Sequence, residues 1–289
     1  MLPTMPNGLL NILCVAAFFL YGCAAGTVTD RMSLADRIGH KAGLEKSYLK
    51  TSSFILTAYS RASRPGGTLN LYIEGDGSAW ITPTWRSVDP SPRNPLGLKM
   101  AALDPAANVA YLARPGQYPA PDSSAVDPVY WSDKRFAPEV VTAMNEAIDS
   151  LKSTTEASKI NLVGYSGGAA IAVLITSRRS DIVSLRTVAG NLDSEAVNRY
   201  HHVSPLTGSL NPMDVADKLA GLPQRHFVGS EDAVIPSFIA LSFVKRAGSP
   251  DGHEITIVEG ASHSKGWQEQ WKLLLEVSLR SPGIAAKQD

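Results

Sequence analysis

Apolar and polar positions divide this chain into three regimes. Residues 9–20 are apolar except for Asn11, residues 24–50 are polar and mixed, and from about residue 51 short apolar runs alternate with longer stretches of helical period. Apolar, β-branched-rich runs bounded by turn formers read as strands, and apolar positions three or four apart read as helices. Strands are predicted at 54–59, 69–74, 109–112, 160–164, 185–189, 226–228 and 254–258, and helices at 95–103, 138–152, 167–177, 215–219, 236–246 and 264–279. Several of these strands are continuously apolar, as expected when helices cover both sheet faces. Strands alternating with helices predict an α/β fold with a mostly parallel sheet.

Outside that alternation the pattern is weaker. Residues 24–50 read as a tether with one short helix near 34–44, which leaves 51–282 as a single domain. The stretch 78–128 is rich in proline and flanked by Trp80, Trp85 and Trp131, so it reads as mostly loop. Its tryptophans have two readings of equal weight: they line a substrate cleft, or they cover the edge of the core. Residues 193–222 are too short and too little amphipathic for a large lid domain.

Composition narrows the function classes. Of 289 residues, 44% are hydrophobic and 19% charged, the balance of a globular chain able to bury a core. Lys plus Arg and Asp plus Glu number 27 each, and no basic run would track a phosphate backbone, so nucleic acid is not an expected partner. Cys14 and Cys23 are the only cysteines, and both belong to the N-terminal segment, so the body has no disulfide framework.

The apolar stretch followed by Tyr21-Gly22-Cys23-Ala24-Ala25 reads as a secretory signal over residues 1–22. Leu20-Tyr21-Gly22-Cys23 resembles the lipobox of bacterial lipoproteins, which implies that Cys23 is acylated and tethers an exported protein to a membrane of the cell envelope. The sequence departs from that pattern in two ways: no Lys or Arg precedes the apolar core, and Tyr21 is bulky. The competing reading is an uncleaved anchor, because 9–28 is close to the length that spans a bilayer.

The candidate chemistry begins at Gly164-Tyr165-Ser166-Gly167-Gly168. A serine hydroxyl needs a base to take its proton and a turn that lifts it clear of the backbone. The G-x-S-x-G turn meets the second need where a strand bends sharply into a helix. Here Ile160-Asn161-Leu162-Val163 precedes the bend and Ala169-Ala170-Ile171-Ala172 follows it. The bare pattern arises by chance in roughly one chain in eight of this length, so order along the chain must add weight.

A carboxylate and then a histidine follow, each just past a predicted strand. Asp232 lies in Gly229-Ser230-Glu231-Asp232, and His263 in Glu259-Gly260-Ala261-Ser262-His263. Ser166 is thus the candidate nucleophile, His263 the base and Asp232 the acid. The rivals are Asp193 and Glu231 for the acid and His201-His202 for the base. Oxyanion donors are expected at the Gly167 N–H and, from the loop Glu74-Gly75-Asp76-Gly77, at the Asp76 N–H. Glu74 stands where such loops usually carry histidine, and its charge is unfavourable there unless turned away or paired. The loop's other reading is a simple tight turn.

Together these residues resemble the α/β-hydrolase superfamily, over about residues 54–279. The Ile-Glu-Gly-Asp-Gly loop and Gly-Tyr-Ser-Gly-Gly elbow are also similar to those of uncharacterised proteobacterial members. The resemblance implies a mostly parallel eight-stranded sheet, an acyl substrate, and neither metal nor organic cofactor. Carboxylic esters are the expected substrates, with amides or peptides as the alternative. A reading of another class is an inactive envelope binding protein on the same scaffold.

Overall fold

The computed structural model describes residues 27–82, 84–121, 123–249 and 254–279. Cys23 and the expected signal lie outside them. In chain order the elements are α1 (Val28–Lys41), β1 (Glu45–Lys50), β2 (Ile55–Ala62), β3 (Thr68–Ile73), β4 (Trp80–Thr82), β5 (Trp85–Arg86), α2 (Leu96–Leu103) and β6 (Asn108–Leu112). They continue with α3 (Pro138–Thr154), β7 (Lys159–Tyr165), α4 (Gly167–Thr176), β8 (Ile182–Val188), α5 (Ser194–Tyr200), β9 (Gln224–Gly229), α6 (Ser237–Arg246), β10 (Ile255–Val258) and α7 (Trp267–Glu276).

Eight strands form one sheet in the order β1-β2-β6-β3-β7-β8-β9-β10. Only β2 runs against the rest: it pairs antiparallel with β1 and β6, and the other ladders are parallel. The side-chain period of two divides the core. On β3, β6 and β7, Leu69, Leu71, Ile73, Ala110, Leu112, Ile160 and Leu162 face one apolar layer with α3, α4 and α6. Tyr72, Val109, Tyr111, Val163 and Tyr165 face the other, with α1, α2 and α7. Strands wedged between two helical layers must be apolar on both faces, which accounts for their continuous apolar runs.

The segment expected to be a tether belongs to the fold. Thr27 and Asp30 form a capping box that starts α1. Buried Arg31 bonds Asp89 at 2.8 Å, and Asp36 accepts from the Tyr59 hydroxyl at 2.7 Å. Downstream, β1 pairs along its whole length with β2, from Glu45↔Ser60 to Lys50↔Ile55, so the sheet begins before residue 51. As an edge strand of Glu-Lys-Ser-Tyr-Leu-Lys, β1 shows no apolar alternation, because charge on an edge deters pairing with other chains.

The proline-rich stretch contains the expected helix and strand as α2 and β6, and beyond them the β4–β5 hairpin. Trp80 and Trp131 divide between the two readings. Trp80 lines a cleft, whereas Trp131 is buried and donates from Nε1 to the Ser87 carbonyl at 3.0 Å. Trp85 is exposed and lines no part of that cleft. Between Asp193 and Leu222 the chain forms only α5 and a 3-10 turn at Pro212–Leu219, with no lid domain.

Candidate active site

β7 ends at Tyr165 and α4 begins at Gly167, which leaves Ser166 alone at the bend with φ 50° and ψ −120°. A non-glycine residue at positive φ costs on the order of 1–3 kcal/mol and persists only when its surroundings hold it. The Ser166 N–H donates to Val188 O at 2.9 Å, and its carbonyl accepts from Ala169 and Asn191, each at 3.0 Å. Close packing also sets the two motif glycines. A Cβ on Gly164 would stand 2.5 Å from the Ala169 Cα, and one on Gly168 2.4 Å from the carbonyl oxygens of Ile73 and Glu74.

Two loops at the carboxyl ends of neighbouring strands meet this bend. The Ser166 Oγ lies 3.0 Å from His263 Nε2, and His263 Nδ1 lies 3.0 Å from Asp232 Oδ2. The Asp232 side chain is fully buried, and its Oδ1 accepts from the N–H groups of Val234 at 2.8 Å and Ile235 at 2.9 Å. Those bonds point the second oxygen at His263. The carbonyl of His263 is held in turn by the Tyr165 hydroxyl at 3.0 Å and by Trp267 Nε1 at 3.3 Å.

The rival residues have other partners. Asp193 caps α5 through Ala196 N–H at 3.0 Å and also accepts from Asn211, while Glu231 is exposed. His201 contacts the Val234 carbonyl at 2.7 Å, and His202 is exposed.

Glu74 is turned away from the serine. Its carboxyl accepts from Gly75 N–H at 3.0 Å and reaches the start of α2, at Gly97 N–H (3.2 Å) and Leu98 N–H (3.4 Å). It thereby supplies the cap that Pro95 lacks. Burial raises its pKa above the ordinary value, and the three N–H bonds oppose that rise.

The Asp76 side chain packs against the nucleophile turn: a Cβ on Gly167 would meet its Oδ1 at 2.0 Å. Two arginines hold that carboxylate, Arg114 Nη1 at 3.4 Å and Arg135 Nη1 at 3.1 Å. Among the described residues the N–H groups of Gly167 and Asp76 donate to no partner. Sequence reading missed Tyr165, Trp267, Arg114 and Arg135. Tyr165 sits inside the motif and was open to notice, but the arginine contacts join residues 38 and 59 positions apart and leave no local signature.

The serine opens onto a cleft of about 430 Å³ lined by Asp76, Trp80, Arg93, Arg135, Tyr165 and His263, among others. No group of three or more His, Cys, Asp or Glu among the described residues is placed to hold a metal ion. No helix among them is long and apolar enough to cross a membrane.

Comparison with known proteins gives the class. Neither protein-family models nor curated proteins match the sequence. Solved structures do match the fold. An esterase of Pyrococcus furiosus aligns at TM-score 0.55 and 12% identity, over 81% of this chain and 88% of its own. A putative lipase of Acinetobacter baumannii aligns at 0.56 and 13%, over 86% and 93%. An alpha-beta serine hydrolase homologue of Coxiella burnetii aligns at 0.52 and 17%, over 80% and 93%. The chain has the α/β-hydrolase fold.

Proposed function

We propose that the protein is a serine hydrolase that transfers an acyl group to water, with carboxylic esters as its substrates. The observation that carries this reading is the unbroken chain from Ser166 Oγ through His263 to Asp232, with both links at 3.0 Å, at the wall of an open cleft. As Oγ adds to the carbonyl carbon, His263 Nε2 takes its proton, and Asp232 keeps the ring oriented and stabilises the imidazolium. Negative charge gathers on the former carbonyl oxygen, where the N–H groups of Gly167 and Asp76 receive it. Each such donor is worth about 10²–10³ in rate. The imidazolium then protonates the departing alkoxide. Water, deprotonated by the same nitrogen, attacks the acyl-serine and releases the acid. These steps call for neither a metal nor an organic cofactor.

The ester assignment is supported by the names of two structural neighbours, an esterase and a putative lipase. A fluorophosphonate probe tests the mechanism: the wild-type protein labels and Ser166→Ala does not. A protein that stays unlabelled, or a variant that labels equally, overturns the reading and favours the inactive binding protein. We also propose that the chain is exported and acylated at Cys23. Mass analysis of the mature N-terminus, with and without globomycin, tests this.

A further inference from the structure

The ion-pair cluster beside the nucleophile has one carboxylate for two guanidinium groups. Asp76 is the sole carboxylate among the described residues that pairs with either Arg114 or Arg135. Arg114 is buried, and its Nη2 donates to the Arg135 carbonyl. The two guanidinium groups lie over the same ring, Phe136, at 5.5 and 5.7 Å. Ring contacts of this kind offset part of the cost of a desolvated cation but do not cancel its charge. Burial lowers the pKa of Arg114 to about 10 against the opposing pull of Asp76, so Arg114 remains a cation at neutral pH.

The excess charge faces the cleft. Arg135 lines it, and beyond the Asp76 bond at 3.1 Å its Nη2 donates to nothing among the described residues. Arg93 lines the same cleft, is exposed, and makes no ion pair or hydrogen bond among the described residues. The other two carboxylates nearby are committed elsewhere: Asp232 to His263 and two backbone N–H groups, Glu74 to the loop and the start of α2. Asp133, close to Arg135 in the chain, is paired with Arg86 at 2.8 Å.

We infer that Arg93 and Arg135 form a subsite for an anionic group on the substrate, a carboxylate or a phosphate, held beside the ester that Ser166 attacks. This deepens the serine-hydrolase reading and rests on it. Guanidinium groups recognise either anion through paired, charge-assisted N–H donors. In a partly enclosed cleft such contacts are stronger than in open water. Asp76 stabilises the bare cluster when the cleft is empty, and the substrate anion completes the neutralisation.

Matched substrates test the inference. p-Nitrophenyl hexanoate and p-nitrophenyl hemiadipate have acyl chains of the same length and differ in a terminal carboxylate. In the wild-type protein kcat/KM is expected to be at least about tenfold higher for the hemiadipate at low salt, and this preference shrinks as salt rises. Arg93→Gln lowers the hemiadipate-to-hexanoate ratio several-fold. Arg93 is exposed and unpaired, so the change does not endanger folding. Glutarate and glycerol phosphate, added as competitors of hexanoate turnover, distinguish the two anions by which inhibits at lower concentration. A neutral fluorophosphonate is run on the same preparations. Protein that labels but shows no preference, or a ratio unmoved by Arg93→Gln, overturns the anion subsite and leaves the hydrolase reading standing. Protein that does not label overturns both.

Discussion

The Tyr165 hydroxyl donates to the carbonyl oxygen of His263 at 3.0 Å, so the residue before the nucleophile holds the backbone of the base. One turn thereby sets both ends of the Ser166–His263 contact. Removing that hydroxyl in Tyr165→Phe keeps the ring packed and loses one bond, at a cost of about 1 kcal/mol in stability. The looser His263 loop is expected to lower kcat several-fold with little change in KM. Steady-state kinetics on a neutral p-nitrophenyl ester read the split, and an unchanged kcat would show that Trp267 alone holds the loop.

Ser166 occupies a backbone conformation that glycine adopts more cheaply, at φ 50°. Ser166→Gly is therefore expected to abolish labelling while raising stability by about 1 kcal/mol, or about 2–4 °C in Tm for a domain of this size. Ser166→Ala abolishes labelling without that gain. Thermal unfolding of the two variants side by side measures the strain held at the turn.

Asp232 and Asp193 both follow strands of the sheet, but only Asp232 reaches His263. Asp232→Asn can keep the bonds from Val234 and Ile235, yet it no longer presents a charged acceptor to the ring, and kcat is expected to fall by about 10³–10⁴. Asp193→Ala removes the cap of α5 and should cost about 1 kcal/mol of stability with kcat within a factor of about three. Turnover and urea unfolding of both variants assign the acid, and the reverse ranking would move it to Asp193.

Glu74 is buried, and burial raises its carboxyl pKa above the ordinary value of 4.5. Such a group holds its proton to higher pH in the folded chain than in the unfolded one. Its contribution to stability is complete below 4.5 and is lost as pH climbs through the folded value. Glu74→Gln lacks this dependence, so wild-type stability should fall relative to the variant as pH rises above 4.5. Urea unfolding from below pH 4.5 to neutral pH checks the sign; parallel curves would mean that the three N–H bonds offset burial, and a wild-type gain with pH that they outweigh it.

Local pattern made much of this protein legible. The mostly apolar runs at 69–74, 109–112 and 160–164 mark central strands, because a strand covered on both faces carries apolar side chains on both. Gly164 and Gly168 mark the sharp bend, because side chains there would collide with neighbouring backbone. The order Ser166, Asp232, His263 is visible because each stands just past a strand. Polar β1 was not legible: an edge strand is recognised by the partner it pairs with, and Glu45–Lys50 carries no periodic signal of its own.

The sequence by itself determined the α/β class, the elbow at Ser166 and the candidate residues, since these depend on period and turn chemistry within a few positions. Tertiary structure alone decided that Asp232 rather than Asp193 meets His263, that Glu74 turns to α2, that Trp80 reaches the cleft while Trp131 is buried, and that Arg114 and Arg135 share Asp76. Those outcomes depend on which distant strand ends and loops the sheet order brings side by side, and a contact such as Ser166 to His263, 97 residues apart, is selected by burial and charge over the whole fold.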